Sequence, residues 1–238
     1  MRFPVLFPAV LFSVLPSALC QSTPPADDAT QMHKQWELGG RDRDIEKKDG
    51  SLNNELVLTY VQQLADRLST AATVPAVRVR LTRATEEYFS VSPRRVLYLS
   101  AGLFARTEDE AELAGILAHG LAHLTLSDGV CVLDPLHPPE LSADRRAAEK
   151  QATELAVPYL KSAGFDPTSL LSLLSKLVYE HPVWSRAIRS EDLLQLRGVL
   201  ENEAMPPRGY RLDSSDFAGI HAIVANILNP KRVLRAFR

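Results

Sequence analysis

The sequence predicts an α+β fold: one amphipathic helix, a few short strands, then a run of helices. Three observations carry this. Residues 51–72, SLNNELVLTYVQQLADRLSTAA, place Leu56, Tyr60, Leu64 and Leu68 at helical spacing. Between residues 77 and 100 the alternation shortens to a strand-like pattern in VRVRLTR, YFSVS and VLYLS, the last two flanking Pro93. From Thr107 onward the patterned segments are helical, and strands followed by helices argue α+β. The 238 residues, 45% hydrophobic and 24% charged, suit one globular domain with small extensions and suffice for a sizeable core. The formal net charge of −2, with no long run of like charge, gives no argument for nucleic acid or an acidic membrane surface.

Taken in order, MRFPVLFPAVLFSVLPSALCQS reads as an export signal over residues 1–20. Arg2 supplies the positive start, an apolar run follows, and Ala18 and Cys20 are the small residues before a break at Gln21. The run is too short and too often interrupted by Pro4, Pro8 and Pro16 to make a good membrane span. A lipid-modified Cys20 and an uncleaved N-terminal helix stay open as alternatives, though Leu19 stands where lipoprotein signals take a small residue. Membrane contact is thus expected only through the signal or a lipid anchor at Cys20. The expected location is exported: the periplasm or cell envelope, or secreted. Residues 21–35, including the polar, Pro-rich STPPADDATQ, read as a flexible leader. Cleavage after Cys20 leaves Cys131 as the one thiol, so no internal disulfide is expected; Cys131 reads as partly buried and inert.

The clearest helix is TEDEAELAGILAHGLAHLTL, residues 107–126. Thr107 and Glu110 match a capping box, and the helix is apolar nearly all round, so it should be buried. A loop with DPLHPPE leads to a second long helix over 141–163, with Pro158 as a kink and Gly164 as a stop. Asp166 and Pro167 read as N-cap and first residue of the next helix, TSLLSLLSKLVYE. SEDLLQLRGVLENEA and DSSDFAGIHAIVANIL are two more. No G-x-S-x-G, phosphate-binding loop or C-x-x-C is present.

His119 and His123 stand four apart, so they share a helix face and can meet one ion. This is half of the H-E-x-x-H signature, in which the glutamate serves as general base; Gly120 stands in its place. A glycine inside a helix costs about 1 kcal/mol relative to alanine, so Gly120 does not serve helix stability, although close packing would explain it. The alternative is a pair of core histidines hydrogen-bonded inside a buried helix.

With these phrases in view, the chain resembles the HtpX/Ste24-type zinc metallopeptidases, peptidase family M-48, and above all their exported bacterial branch. VLYLSAGLFARTEDEAELAGILAHGLAH matches the family's strand, S-x-G-L phrase and histidine helix; KSAGFDP matches its A/S-G-[FY]-D-P; EHPVWSRAI matches its His-Pro pair at His181 and Pro182. The match spans roughly residues 36–200, leaving 201–238 as a C-terminal extension with a short helix. The resemblance implies a zincin-like fold, mostly helical with a small β-sheet. It also implies His119 and His123 as zinc ligands and, counting back from AGFDP, Gln151 in place of the third-ligand glutamate. Thr153 would replace an aspartate that orients a histidine. Glu149 and Glu154 are neighbouring carboxylates, but each would need a register shift. His181 is the candidate replacement ligand, since three histidines make a competent zinc site. Arg94 and Arg95 replace the glycines that end the family's substrate strand and could bind an acidic partner segment; the alternative is a solvated strand end. The expectation is a catalytically inactive relative, with zinc lost and the old cleft binding a peptide or unfolded protein segment. An active zinc metalloendopeptidase acting on envelope proteins is the alternative.

Overall fold

The computed structural model describes Gly40 and residues 42–92, 94–126, 143–201 and 209–229. The signal, the leader, Cys20, Pro93, Cys131 and the DPLHPPE loop lie outside the described residues. A helical segment over residues 42–49 (α1) precedes α2 (Glu55–Ala71). Three strands follow, β1 (Arg78–Thr82), β2 (Phe89–Ser92) and β3 (Val96–Ser100). Then come α3 (Ala101–Arg106), α4 (Glu110–Leu126), α5 (Ala143–Ala163), α6 (Pro167–Glu180), α7 (Pro182–Ala187), α8 (Ser190–Glu201) and α9 (Phe217–Leu228). This is the α+β order the patterning predicts. No helix among the described residues is long and apolar enough to cross a membrane.

The sheet has the order β1-β3-β2, with β1 parallel and β2 antiparallel to β3. Its register pairs Val79 with Leu97, Leu81 with Leu99, Phe89 with Leu99 and Val91 with Leu97. Because side chains alternate along a strand, these six apolar residues share one face, and all are buried. The opposite face carries Arg78, Arg80, Val96, Tyr98, Ser90 and Ser92. There α1 is tied to the sheet by Ser92 Oγ donating to Asp42 Oδ2 at 2.9 Å and Tyr98 Oη donating to Glu46 Oε1 at 3.3 Å.

Helix α4 lies on the apolar face, buried from Glu110 through His123 as its all-round apolar sequence predicts, among α2, α5 and α6. Three local expectations shift. The buried stripe of α2 is Val57, Val61, Leu64, Ala65 and Leu68, so Leu56, one residue off that stripe, is 66% exposed. The capping box is not Thr107 with Glu110: Thr107 ends α3, and its hydroxyl donates to Phe104 O. Asp109 Oδ1 instead accepts from Glu112 N at 2.7 Å, and Glu112 Oε2 accepts from Glu108 N at 2.8 Å. This leaves Glu110 to bind the C-terminal segment, accepting from Arg211 Nε at 2.9 Å, Tyr60 Oη at 2.6 Å and Ser214 Oγ at 2.9 Å. Farther on, Asp166 caps α6 as expected, and Gly164 takes the left-handed conformation, φ +78°, that ends α5.

Candidate metal centre

The site forms where α4 packs against α5. His119 and His123 project from one face of α4, and Glu149 meets them from α5. His119 Nε2 lies 3.2 Å from Glu149 Oε2, His123 Nε2 lies 3.4 Å from the same oxygen, and the two Nε2 atoms are 3.0 Å apart. All three side chains are 0% exposed. Phe89 stands edge-on to His119, with ring centroids 5.6 Å apart.

The ligand assignment drawn from sequence is corrected here. Gln151 is exposed on the outer side of α5, and the carboxylate beside the two histidines is that of Glu149. Two residues along a helix turn the side chain about 200°, so Glu149 and Gln151 cannot face the same partner. A signal for Glu149 was available: it continues the buried stripe Ala152, Thr153, Ala156, Leu160 and Ala163 at helical spacing. Glu154 also points outward, its carboxylate 4.0 Å from Lys150. His181 does not join the pair. It sits at the junction of α6 and α7, with Nε2 2.8 Å from Glu87 Oε2, in a partly exposed cluster that includes Glu180 and Arg106.

Thr153, which replaces the family's orienting aspartate, stands against His119. Its hydroxyl donates to Glu149 O at 2.9 Å, so its oxygen accepts from His119 Nδ1 at 3.3 Å. That assigns the His119 proton to Nδ1 and turns the Nε2 lone pair toward Glu149 and His123. A lone pair thus faces a carboxylate, an arrangement that a cation between them resolves. Without a metal the cation there is a proton: burial pushes the Glu149 carboxyl up, but the charge of His123 and His119 as protonated imidazoles outweighs burial and holds it well below the usual carboxylate range.

The donors fit a zinc-class ion. Zinc takes His nitrogen and Glu oxygen at about 2.0–2.2 Å, which in a tetrahedron spaces the ligands about 3.3–3.5 Å apart. The observed edges of 3.0, 3.2 and 3.4 Å are close to one tetrahedral face. Among the described residues no further His, Cys, Asp or Glu joins this group.

The general base is another matter. A Cβ at Gly120 would stand under 3.0 Å from Leu97 Cδ1, 3.2 Å from Leu97 Cγ and 3.6 Å from Phe89. Leu97 fills the space through which a glutamate side chain would leave the helix, and close packing accounts for the glycine.

No protein-family model and no curated protein matches this chain. The resemblance to zinc metallopeptidases rests on the sequence phrases.

Proposed function

We propose that this is a zincin-like domain of the metallopeptidase type that holds a zinc-class ion through His119, His123 and Glu149 but does not cleave peptides. The observation that carries the reading is the closed triangle of donors with Leu97 packed against Gly120. Zinc loss was expected chiefly because Gln151 replaces a carboxylate ligand; the Glu149 carboxylate beside both histidines supports retention instead. A bound ion would supply Lewis acidity and a cross-link between α4 and α5. The residues themselves favour the cross-link. Catalytic zinc keeps an open position for water and substrate, whereas these three side chains are fully buried. Gly120 offers no group to take a proton from water, and such a loss costs about two to four orders of magnitude in rate. The role that remains is binding, of a peptide or an unfolded protein segment, in the exported location the N-terminal signal implies.

The test is elemental analysis of purified protein together with a peptidase assay. Near one zinc per chain is expected, lost in His119→Ala and Glu149→Gln and kept in Gln151→Ala, with no chelator-sensitive hydrolysis of unfolded protein. Zinc binding that survives Glu149→Gln would overturn the ligand assignment. Chelator-sensitive cleavage by the wild type, abolished in His119→Ala, would restore the endopeptidase reading.

A further inference from the structure

A cavity of about 760 Å³ opens on the sheet face away from the metal centre. Leu97 points to Gly120, so its neighbours Val96 and Tyr98 face the other way, and both line this cavity. Its walls are β1, the β2–β3 turn, α1 and the middle of α2. Five arginines line it (43, 78, 80, 94 and 95) against three carboxylates, from Asp42, Glu46 and Asp66.

The arginines are unequal. Arg95 is committed to structure: its guanidinium donates to Ala76 O at 2.9 Å and to Pro75 O, and its own backbone is in the left-handed region at φ +60°. That conformation costs a non-glycine residue roughly 1–2 kcal/mol. The turn is thereby pinned at the cavity mouth, with Arg94 beside it. Arg78, Arg80 and Arg94 are exposed, and their side chains have no hydrogen-bond or ion-pair partner among the described residues. Glu46 accepts from Tyr98 Oη at 3.3 Å, and Asp66 accepts from Gln62 Nε2 at 2.9 Å.

Two of the free arginines are also regularly placed. Arg78 and Arg80 are alternate residues of β1, so they repeat about every 6.6 Å on one face. Arg78 pairs with Val96, and Arg94 stands in the turn two residues before Val96, near the same end of β1. An extended peptide with an acidic residue at every second position repeats at the same spacing. Each guanidinium can take a carboxylate by a two-point fork. A nucleic acid is a poorer fit, because the only aromatic residue lining the cavity among the described residues, Tyr98, is 3% exposed and offers no stacking face. A membrane surface is flat, and this site is concave with acids in its wall.

We propose that this cavity docks an extended acidic protein segment, with carboxylates at alternate positions read by Arg78 and Arg80 and a further acidic group met by Arg94 at the turn. The inference is independent of the metal centre, which lies across the sheet.

The test uses the full chain and short fluorescein-labelled peptides read by anisotropy. One peptide alternates glutamate and serine, a second has the same composition in two blocks, and a third alternates lysine and serine. Tightest binding is expected for the alternating acidic peptide. It should weaken at least about tenfold in Arg78→Glu/Arg80→Glu, since two charge-assisted contacts are lost. Circular dichroism and zinc content should stay unchanged. If the strand variant misfolds, Arg94→Glu probes the same groove from the turn. Equal affinity for alternating and block peptides would overturn the proposal, reducing the groove to diffuse positive potential. So would unchanged binding in folded variants, or tighter arginine-dependent binding to phosphatidylglycerol vesicles, which would make the site a lipid surface.

Discussion

Gly120→Ala tests how the histidine helix meets the sheet, because two effects of known size oppose each other there. Helix propensity alone favours alanine by about 1 kcal/mol. The added Cβ would stand under 3.0 Å from Leu97 Cδ1, closer than real Cβ contacts come. Leu97 and Phe89 are both 0% exposed, so the leucine must turn within the packed interior. Overpacking of this kind costs about 1–3 kcal/mol. The net expectation is destabilisation of roughly 0–2 kcal/mol, the difference of the two terms. Leu97→Ala by itself should cost about 2–5 kcal/mol. In that background the obstruction is gone, and Gly120→Ala should become stabilising by about 1 kcal/mol. Urea unfolding of the wild type, both single variants and the double variant measures the coupling, provided the m-values agree. Stabilisation by Gly120→Ala in the wild-type background, or absence of coupling with Leu97, would refute this packing.

The same obstruction predicts that Gly120→Glu does not rebuild peptidase activity unless Leu97 is shortened as well; activity assays of Gly120→Glu with and without Leu97→Ala decide this. His181→Ala should leave the zinc content unchanged and cost no more than about 1 kcal/mol, since its pair with Glu87 is partly exposed; elemental analysis and urea unfolding check both. Glu110→Ala should cost about 2–3 kcal/mol by urea unfolding, because Tyr60, Arg211 and Ser214 all lose their acceptor. In metal-stripped protein the Glu149 carboxyl titrates below its ordinary value near 4.5. Its contribution to stability is therefore full above that pH and is lost as pH falls through the lower folded value. Glu149→Gln should flatten the acid-side decline in thermal midpoint, and an unchanged decline would count against the ion pairing.

Much of the frame was legible in the chain. Hydrophobic period separates α2, the three strands and α4 to α6, because one buried face repeats every two or 3.6 residues whatever lies opposite. The turn chemistry of Gly164, Asp166 and Pro167 marks the break between α5 and α6 for equally local reasons. The sequence by itself also placed His119 and His123 on one face and showed that Gly120 brings no base. Only the tertiary structure decided their third partner. Counting from AGFDP pointed to Gln151, whereas the packing of α5 on α4 turns Glu149 inward, since rotation about a helix axis is settled by the surface it meets. Likewise, nothing local reveals that Leu97 fills the space beside Gly120. Nor does it reveal that Arg94, 16 residues from Arg78 in the chain, lines the same groove: strand register, a long-range pairing, brings those residues together.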